Sequence, residues 1–522
     1  MTKEKNNAVK AVSFMMIITL VGKLLGLVRE QFLAWNYSIG LEANAFSTAS
    51  LIPRIFFDVV FASAISASFI PIFNEYMQKK GKDEAFKLSN NFITMVGMLT
   101  TLLTVLGVVF APQLTACFAS GFNAETAELC TSLLRILFPA TIFTGLAFSF
   151  VGILQSMDEF NIPAAMSIAS NAIVIIYYVF FNKRFGVYGL AIAFLIGWAM
   201  QAFMQIPALL KKGYRYKPFL DFKDEGLKKI IKLMLPVMVS TWIQPINLAI
   251  NTNFASRLLD GSGVSPLGYA NTVYSIVVGV FVLSVANVIF PRLSRMTIND
   301  DKKQFGKTIS TTIEVMMFLL IPMTVGLMCL SEPIIKVIFQ QGKFDQYATA
   351  LTANALFFFS IGMVGFGIQT ILSRAFYAEQ NGRMPLLSGI ISIGVNVVLC
   401  IVLAPIMEIG GLALASAVSS TVSAIILLLA MQKSNKIIRK TLVLQVFKMM
   451  AASAIMALVV ILGKNSITTM FKPSFITSLL EVGVPTFCGI TVYMVLTRIL
   501  LVPQAKLVFD FAVNFVKGRI KK

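Results

Sequence analysis

Two short runs place ionisable side chains inside otherwise apolar stretches. Lys23, Arg29 and Glu30 fall in VGKLLGLVREQF beside Gly22 and Gly26, and Arg54 and Asp58 form an i,i+4 pair just after Pro53. A charged side chain at the centre of a bilayer costs about 2.5–3.5 kcal/mol on insertion scales, so such a cluster points to function. The chemistry these types support is anion binding. A guanidinium offers a planar fork that grips phosphate through two hydrogen bonds, and a water-poor cavity strengthens each of them. Arg54 and Asp58 can neutralise each other until an anionic ligand competes for the arginine. Lys23 and Arg29 are six residues apart, roughly 240° around a helix, and share a face only if the glycines let the helix bend. The competing structural reading has these long side chains snorkelling or pairing with Glu30 and Asp58.

The second half of the chain has no equivalent cluster. Gln244, Asn247, Asn251, Asn253, Asn271 and Asn287 supply uncharged polarity there, and Arg257 sits at the end of a span. The asymmetry places the anion site in the first half. There is no histidine, which excludes imidazole catalysis, Ser-His and Cys-His nucleophiles and His-ligated metals. The five cysteines show no CxxC spacing and read as packing residues. Glu314 and Glu481 are isolated carboxylates, open to reading as ion carriers or as hydrogen-bonded structure. No catalytic residue, metal ligand or cofactor motif is expected.

The elements that must position these charges are transmembrane helices. Of 522 residues, 57% are hydrophobic and 13% charged, and mean hydropathy is +0.81. Spans of about 20 apolar residues cross the bilayer, and fourteen are predicted, near 11-35, 45-76, 90-114, 126-156, 162-181, 187-210, 228-256, 267-291, 309-330, 348-376, 384-406, 409-432, 443-463 and 474-501. The net charge of +20 follows the loops. With the N-terminus inside, 33 Lys+Arg fall at inner segments and seven in outer loops. The positive-inside rule therefore predicts both termini in the cytoplasm and removes the case for nucleic acid.

The chain also resembles itself at an offset of 220 to 222 residues. Phe69-Ile70-Pro71 recurs as Ile289-Phe290-Pro291, Pro112, Phe118 and Gly121 as Pro333, Phe339 and Gly342, and Gly189-Leu190-Ala191 as Gly411-Leu412-Ala413. The expected fold is an all-α polytopic membrane protein of 14 transmembrane helices: two six-helix lobes, as parallel repeats, plus two C-terminal helices. Parallel repeats of this kind are an architecture of alternating-access transporters. The predicted boundaries are 1-212 for the first lobe, 213-440 for the second and 441-501 for helices 13 and 14. Residues 502-522 read as a basic amphipathic tail on the cytoplasmic leaflet.

The run AVSFMMIITLVGKLLGLVREQFLAW at 11-35, followed by GLEANAFSTASLIPRIFFDVVFASAISASFIPIFNEY at 40-76, resembles the start of the MurJ (MviN) family of peptidoglycan lipid II flippases in the MOP exporter superfamily. INTNFASRLL at 250-259, GYAN at 268-271, FPRLS at 290-294 and SRAFYAEQNGRMP at 373-385 extend the resemblance. It implies a flippase for an undecaprenyl-diphosphate-linked cell-wall precursor, with helices 13 and 14 forming a groove for the lipid tail. It also implies a multi-pass protein of the bacterial cytoplasmic membrane. Expected partners are the lipid-linked glycan, membrane lipids and cell-wall synthesis proteins, and a monomer is expected. No ATP-binding motif occurs, so membrane potential or an ion gradient is the expected energy source. Arg29 and Glu30 match the family's arginine-acid pair, and Lys23 stands where the family has arginine. Asn44 replaces an aspartate, Phe57 a cavity arginine, and Asn271-Thr272 an Asp-Arg pair; Arg54 and Arg257 are the candidates to take the missing arginines' places. The expected substrate-binding set is Lys23, Arg29, Glu30, Asn44, Arg54, Asp58, Arg257 and Asn271. The alternatives are an exporter of another lipid-linked oligosaccharide or of small molecules within the superfamily, and a non-transporting cell-wall scaffold.

Overall fold

The computed structural model describes residues 2–298, 301–435, 437, 440–472 and 474–506, without the side chains of 2–17, 56–63, 66, 236, 239, 240, 287, 291, 298 and 440. The tail expected at 502-522 thus lies almost wholly outside the described residues. Helices account for nearly all of the rest, and no strand occurs among the described residues. In chain order they are α1 (Thr2–Tyr37), α2 (Leu41–Ala64), a π-helical turn (Ile65–Phe69), α3 (Ile70–Lys79), α4 (Lys82–Val109), α5 (Ala111–Phe118), α6 (Ala124–Leu137), α7 (Ala140–Ser156), α8 (Asn161–Phe180), α9 (Asn182–Phe203) and α10 (Ile206–Lys211). There follow α11 (Glu225–Thr241), α12 (Ile243–Ser256), α13 (Val264–Ile298), α14 (Lys302–Cys329), α15 (Ser331–Phe339), α16 (Gln346–Ile361), α17 (Met363–Ala378), α18 (Arg383–Asn435), α19 (Lys440–Met470) and α20 (Phe475–Ile499). Among the described residues, nine helical stretches are long and apolar enough to cross a membrane, or ten if α16 and α17, bent by 47°, form one span. The amide-bearing α12, at 14 residues, is too short to be among them. α18 holds two expected spans joined at Glu408, whose φ of 49° breaks the helix.

The backbone carries the repeat that the sequence suggests. Ser38 and Asp260, Asp158 and Gln380, and Gly186 and Glu408 all have positive φ, and each pair is 222 residues apart. Most non-glycine residues avoid this region, so three coincident chain reversals are a stronger repeat signal than the residue matches.

By packing, the chain forms two compact units, Met1–Ser265 and Pro266–Lys522. The division falls later than the repeat boundary at 212/213, because α11 and α12 pack on α2 within the first unit. In the second unit α19 and α20 pair as a hairpin, and the Tyr493 hydroxyl donates to the Phe318 carbonyl at 2.8 Å to tie α20 to α14.

Within the first unit, small residues and internally satisfied hydroxyls replace hydrophobic collapse as the packing logic, as lipid demands. Thr100, Thr104 and Ser149 donate to the carbonyls of Val96, Thr100 and Gly145, four residues back. The π-turn seats on Gly152 of α7, where a Cβ would stand 2.8 Å from Phe69 and 2.9 Å from Ile65. The faces turned away, such as Leu102, Val105, Ile176 and Val179, are apolar and exposed, as a lipid-facing surface must be.

At one end of this unit the 213–222 segment straps onto α4. Asn91 donates to the Asp221 carbonyl and accepts from the Asp221 amide, both at 2.8 Å, and Tyr214 donates to Asn90 at 2.7 Å. Burial pushes the Tyr214 hydroxyl above the usual phenol range, keeping it a donor. Asn91→Ala removes both Asp221 bonds, so amide exchange across 217–222 is expected to accelerate about thirtyfold, at roughly 1 kcal/mol per hydrogen bond. Hydrogen-exchange mass spectrometry checks this; unchanged exchange refutes the strap.

Candidate anion-binding site

The site is assembled from α1, α8 and α9. Gly22 lets α1 approach α8 so closely that a Cβ there would strike the Ser167 side chain. That approach brings Asn171 of α8 onto α1, where its amide donates to the Gly22 carbonyl at 3.1 Å. The Asn171 oxygen then accepts from an Arg29 terminal nitrogen at 3.0 Å. The other terminal nitrogen of Arg29 pairs with Glu30 at 2.6 Å. Neighbouring helical side chains do not normally face each other, so this pair holds only because the guanidinium is turned by its other partners. The guanidinium carbon lies over the Phe194 ring of α9, 4.8 Å from its centroid. Phe46 of α2 meets that ring edge-on at 4.9 Å.

The Nε of Arg29 is buried and has no hydrogen-bond partner. A buried, unpartnered guanidinium donor is costly unless a ligand supplies the acceptor. With its two terminal nitrogens fixed, Arg29 keeps one buried N–H unpaired, a donor that an anionic oxygen reaching it would satisfy.

Arg54 of α2 is exposed and lines a cavity walled also by Phe194 and Trp198 of α9 and by Thr141 and Thr144 of α7. Phe194 thus meets Arg29 and shares the cavity wall with Arg54. Pro53, also in the cavity wall, lacks the N–H that would close the helix onto residue 49, loosening α2 beside Arg54.

The remaining sequence candidates divide. Lys23 is half-buried, immediately after the Gly22 contact. The side chains of Asp58 and Phe57 lie outside the described residues. Asn44 is buried and its amide is committed to backbone: it donates to the Ile39 and Gly40 carbonyls at 2.7 and 2.8 Å and accepts from the Ser265 amide at 2.8 Å. Arg257, at the end of α12, donates through Nε to Ser120 at 3.0 Å and lies over Phe254. Asn271 is half-buried on α13 in the second unit. Glu314 accepts from Gln504 at 2.9 Å and Glu481 from Thr468 at 3.0 Å, hydrogen-bonded settings for both carboxylates. Sequence reasoning missed Asn171, Phe194 and Trp198. Asn171 was visible as a lone amide in an apolar span, while the two aromatics carry no signal that separates them from lipid-facing residues.

An all-helical membrane-spanning chain with a backbone repeat, and with half-buried cationic side chains in its first unit, is consistent with transporters built from parallel repeats. The profile of the family described as Lipid II flippase MurJ matches residues 38–481. The chain is 30% identical over 465 residues to the probable lipid II flippase MurJ of Haemophilus influenzae, covering 85% of this chain and 90% of that one. A solved structure described as lipid II flippase MurJ in an inward closed conformation superposes with a TM-score of 0.79 at 26% identity, over 93% of this chain and 98% of that one. A multidrug resistance MATE family transporter of the MOP superfamily, in an inward-facing conformation, shares the fold with a TM-score of 0.68 at 16% identity, over 81% and 98% of the two chains. The chain belongs to the lipid II flippase MurJ family and is a transporter rather than an enzyme.

Proposed function

We propose that this protein moves lipid II, the undecaprenyl-diphosphate-linked peptidoglycan precursor, from the cytoplasmic to the outer leaflet of a bacterial cytoplasmic membrane. The observation that carries the reading is Arg29, stacked on Phe194, held by Asn171 and Glu30, and left with a buried Nε–H that lacks an acceptor. A diphosphate supplies that acceptor, and Arg54, which lines a cavity together with Phe194, supplies a second cation. Lysine and arginine enrichment at the predicted inner loops orients both termini to the cytoplasm. Membrane potential or an ion gradient drives the cycle; moving one charge through 100 mV is worth about 2.3 kcal/mol. A single chain contains both repeats, so it works as a monomer, delivering substrate to cell-wall synthesis proteins.

Complementation tests the substrate. In a host depleted of its own lipid II flippase, this chain is expected to restore growth and surface exposure of labelled lipid II. Failure to rescue despite normal membrane insertion would point to another lipid-linked glycan. Alternation has its own test at the end of α12, where Asn253 and Ser120 are hydrogen-bonded side chain to side chain at 3.1 Å. Cysteines at 120 and 253, in a Cys117→Ser background, are expected to cross-link less when the potential is imposed or substrate is added. A yield that no condition changes argues against movement there.

A further inference from the structure

A buried amide oxygen in the second unit lies beside a carboxylate without a partner of its own. Glu314 of α14 accepts from the Gln504 amide nitrogen at 2.9 Å, and the same nitrogen donates to the Gln445 oxygen of α19 at 3.1 Å. Gln504 is 3% exposed, and its Oε1 is buried with no hydrogen-bond partner. The segment that carries it is seated on both sides: Val502 and Ala505 are each 2% exposed, and Lys448 of α19 donates to the Leu500 carbonyl at 2.8 Å. The amide thus spends both hydrogens, on Glu314 and on Gln445, and acceptors outnumber donors. Other ionisable groups on the elements packed with α14 are engaged elsewhere: Lys448 as above, Tyr493 of α20 with the Phe318 carbonyl, and on α17 Arg374 over the Phe290 ring and Glu379 with Asn435. Arg498 of α20, Lys433 of α18, Lys307 of α14 itself and Lys506 complete the predicted inner side, while α15 and α16 carry theirs at the predicted outer end. Among the described residues none is ion-paired with Glu314.

The missing hydrogen is one that a carboxylic acid supplies. An acid and a primary amide pair in a ring of two hydrogen bonds, the amide N–H to one carboxyl oxygen and the acid O–H to the amide oxygen. The first of these exists between Gln504 and Glu314, and the orphaned Oε1 belongs to the same amide. We propose that Glu314 is a proton-binding site of the transport cycle, with Gln504 as the amide that closes the ring when the proton is bound. The proton comes from water on the predicted inner side and bonds to the second Glu314 oxygen. It returns to water when the carboxylate re-forms, and no other covalent bond changes. In lipid a neutral acid costs far less than a carboxylate, so binding and release change the charge on α14 where α19 and the chain beyond α20 meet it. The inference rests on the reading that an ion gradient takes part in the cycle, and not on which lipid is carried.

The test uses the full-length protein in lipid nanodiscs and infrared difference spectra taken across about pH 4 to 9. On acidification, wild type is expected to gain a carboxylic-acid C=O band that Glu314→Gln, of nearly the same shape, abolishes. Gln504→Leu is expected to keep the band but move it to higher frequency, because the acid carbonyl loses the N–H that the ring gave it. A purely structural glutamine leaves that frequency where it is. In proteoliposomes, wild-type lipid II translocation is expected to change by up to about tenfold per pH unit, the limit for one proton. Glu314→Gln is expected to hold the acid-form rate at every pH. Glu314→Asp, which keeps the acid, is expected to keep a pH-dependent band and rate, and it carries the test if the neutral variant fails to fold. Spectra that Glu314→Gln leaves unchanged, or a band beside a translocation rate that no pH alters, overturn the inference. So does a response to sodium at constant pH with none to pH, which would make this a metal-cation site. A wild type that moves no lipid II at any pH removes the substrate reading, and the infrared spectra alone then decide the proton site.

Discussion

Arg29→Ala is expected to abolish rescue of a flippase-depleted host at normal expression, and to slow lipid II translocation in proteoliposomes by about 10- to 150-fold, the equivalent of a lost charge-assisted contact of roughly 1.5–3 kcal/mol. Two effects add. The substitution deletes the N–H edge that faces the ligand, and it strips Glu30 of its 2.6 Å partner, leaving a carboxylate where an anion must bind. Arg29→Lys keeps the charge but loses the fork, so it is expected to recover only part of the rate. The double change Arg29→Ala with Glu30→Gln separates the two effects: it relieves the stranded carboxylate, so it restores any lost thermal stability without restoring transport. Full transport by Arg29→Ala would remove this residue from the mechanism and favour a scaffold.

Gly121→Ala should be the most disruptive single methyl in the first unit. A Cβ there would strike the backbone of Ser256 and Arg257, and backbone cannot swing aside as the tip of a side chain can. The same contact carries the Gly121 amide bond to the Ser256 hydroxyl at 3.1 Å and the Asn253 amide bond to the Cys117 carbonyl at 2.7 Å. Forcing an atom into this seam is expected to cost about 1–3 kcal/mol, the range for overpacking, and to lower the thermal midpoint of the purified protein. It should also reduce cross-linking between cysteines at 120 and 253. Gly97→Ala, where a Cβ meets nothing within 4 Å, is the control and is expected to leave both readouts unchanged. Equal midpoints for the two variants would show that the loop yields and that the seam contributes nothing.

Much of this protein was determined by sequence alone. Apolar runs of bilayer length must become helices, because lipid offers the backbone no other hydrogen-bond partner, and the spacing of Lys and Arg between them predicts orientation. The offset matches at Pro71 and Pro291 and at Gly189 and Gly411 predicted an internal repeat, which the paired positive-φ reversals then carried in the backbone. Arg29 and Glu30 were legible because a charge in an apolar run has few explanations.

Tertiary structure decided what those charges do. Asn44 looked like a ligand-binding amide, yet its polar atoms are all engaged by backbone, since a buried amide takes whichever partners the chain brings near it. Arg257 ended on Ser120 and Phe254, a contact that depends on how the 118–122 loop meets α12. Asn171, Phe194 and Trp198 reach the site from α8 and α9, more than a hundred residues beyond Arg29 and Arg54. An aromatic in a transmembrane run reads the same whether it faces lipid or an arginine; only helix packing, set here by Gly22 against Ser167, tells the two apart.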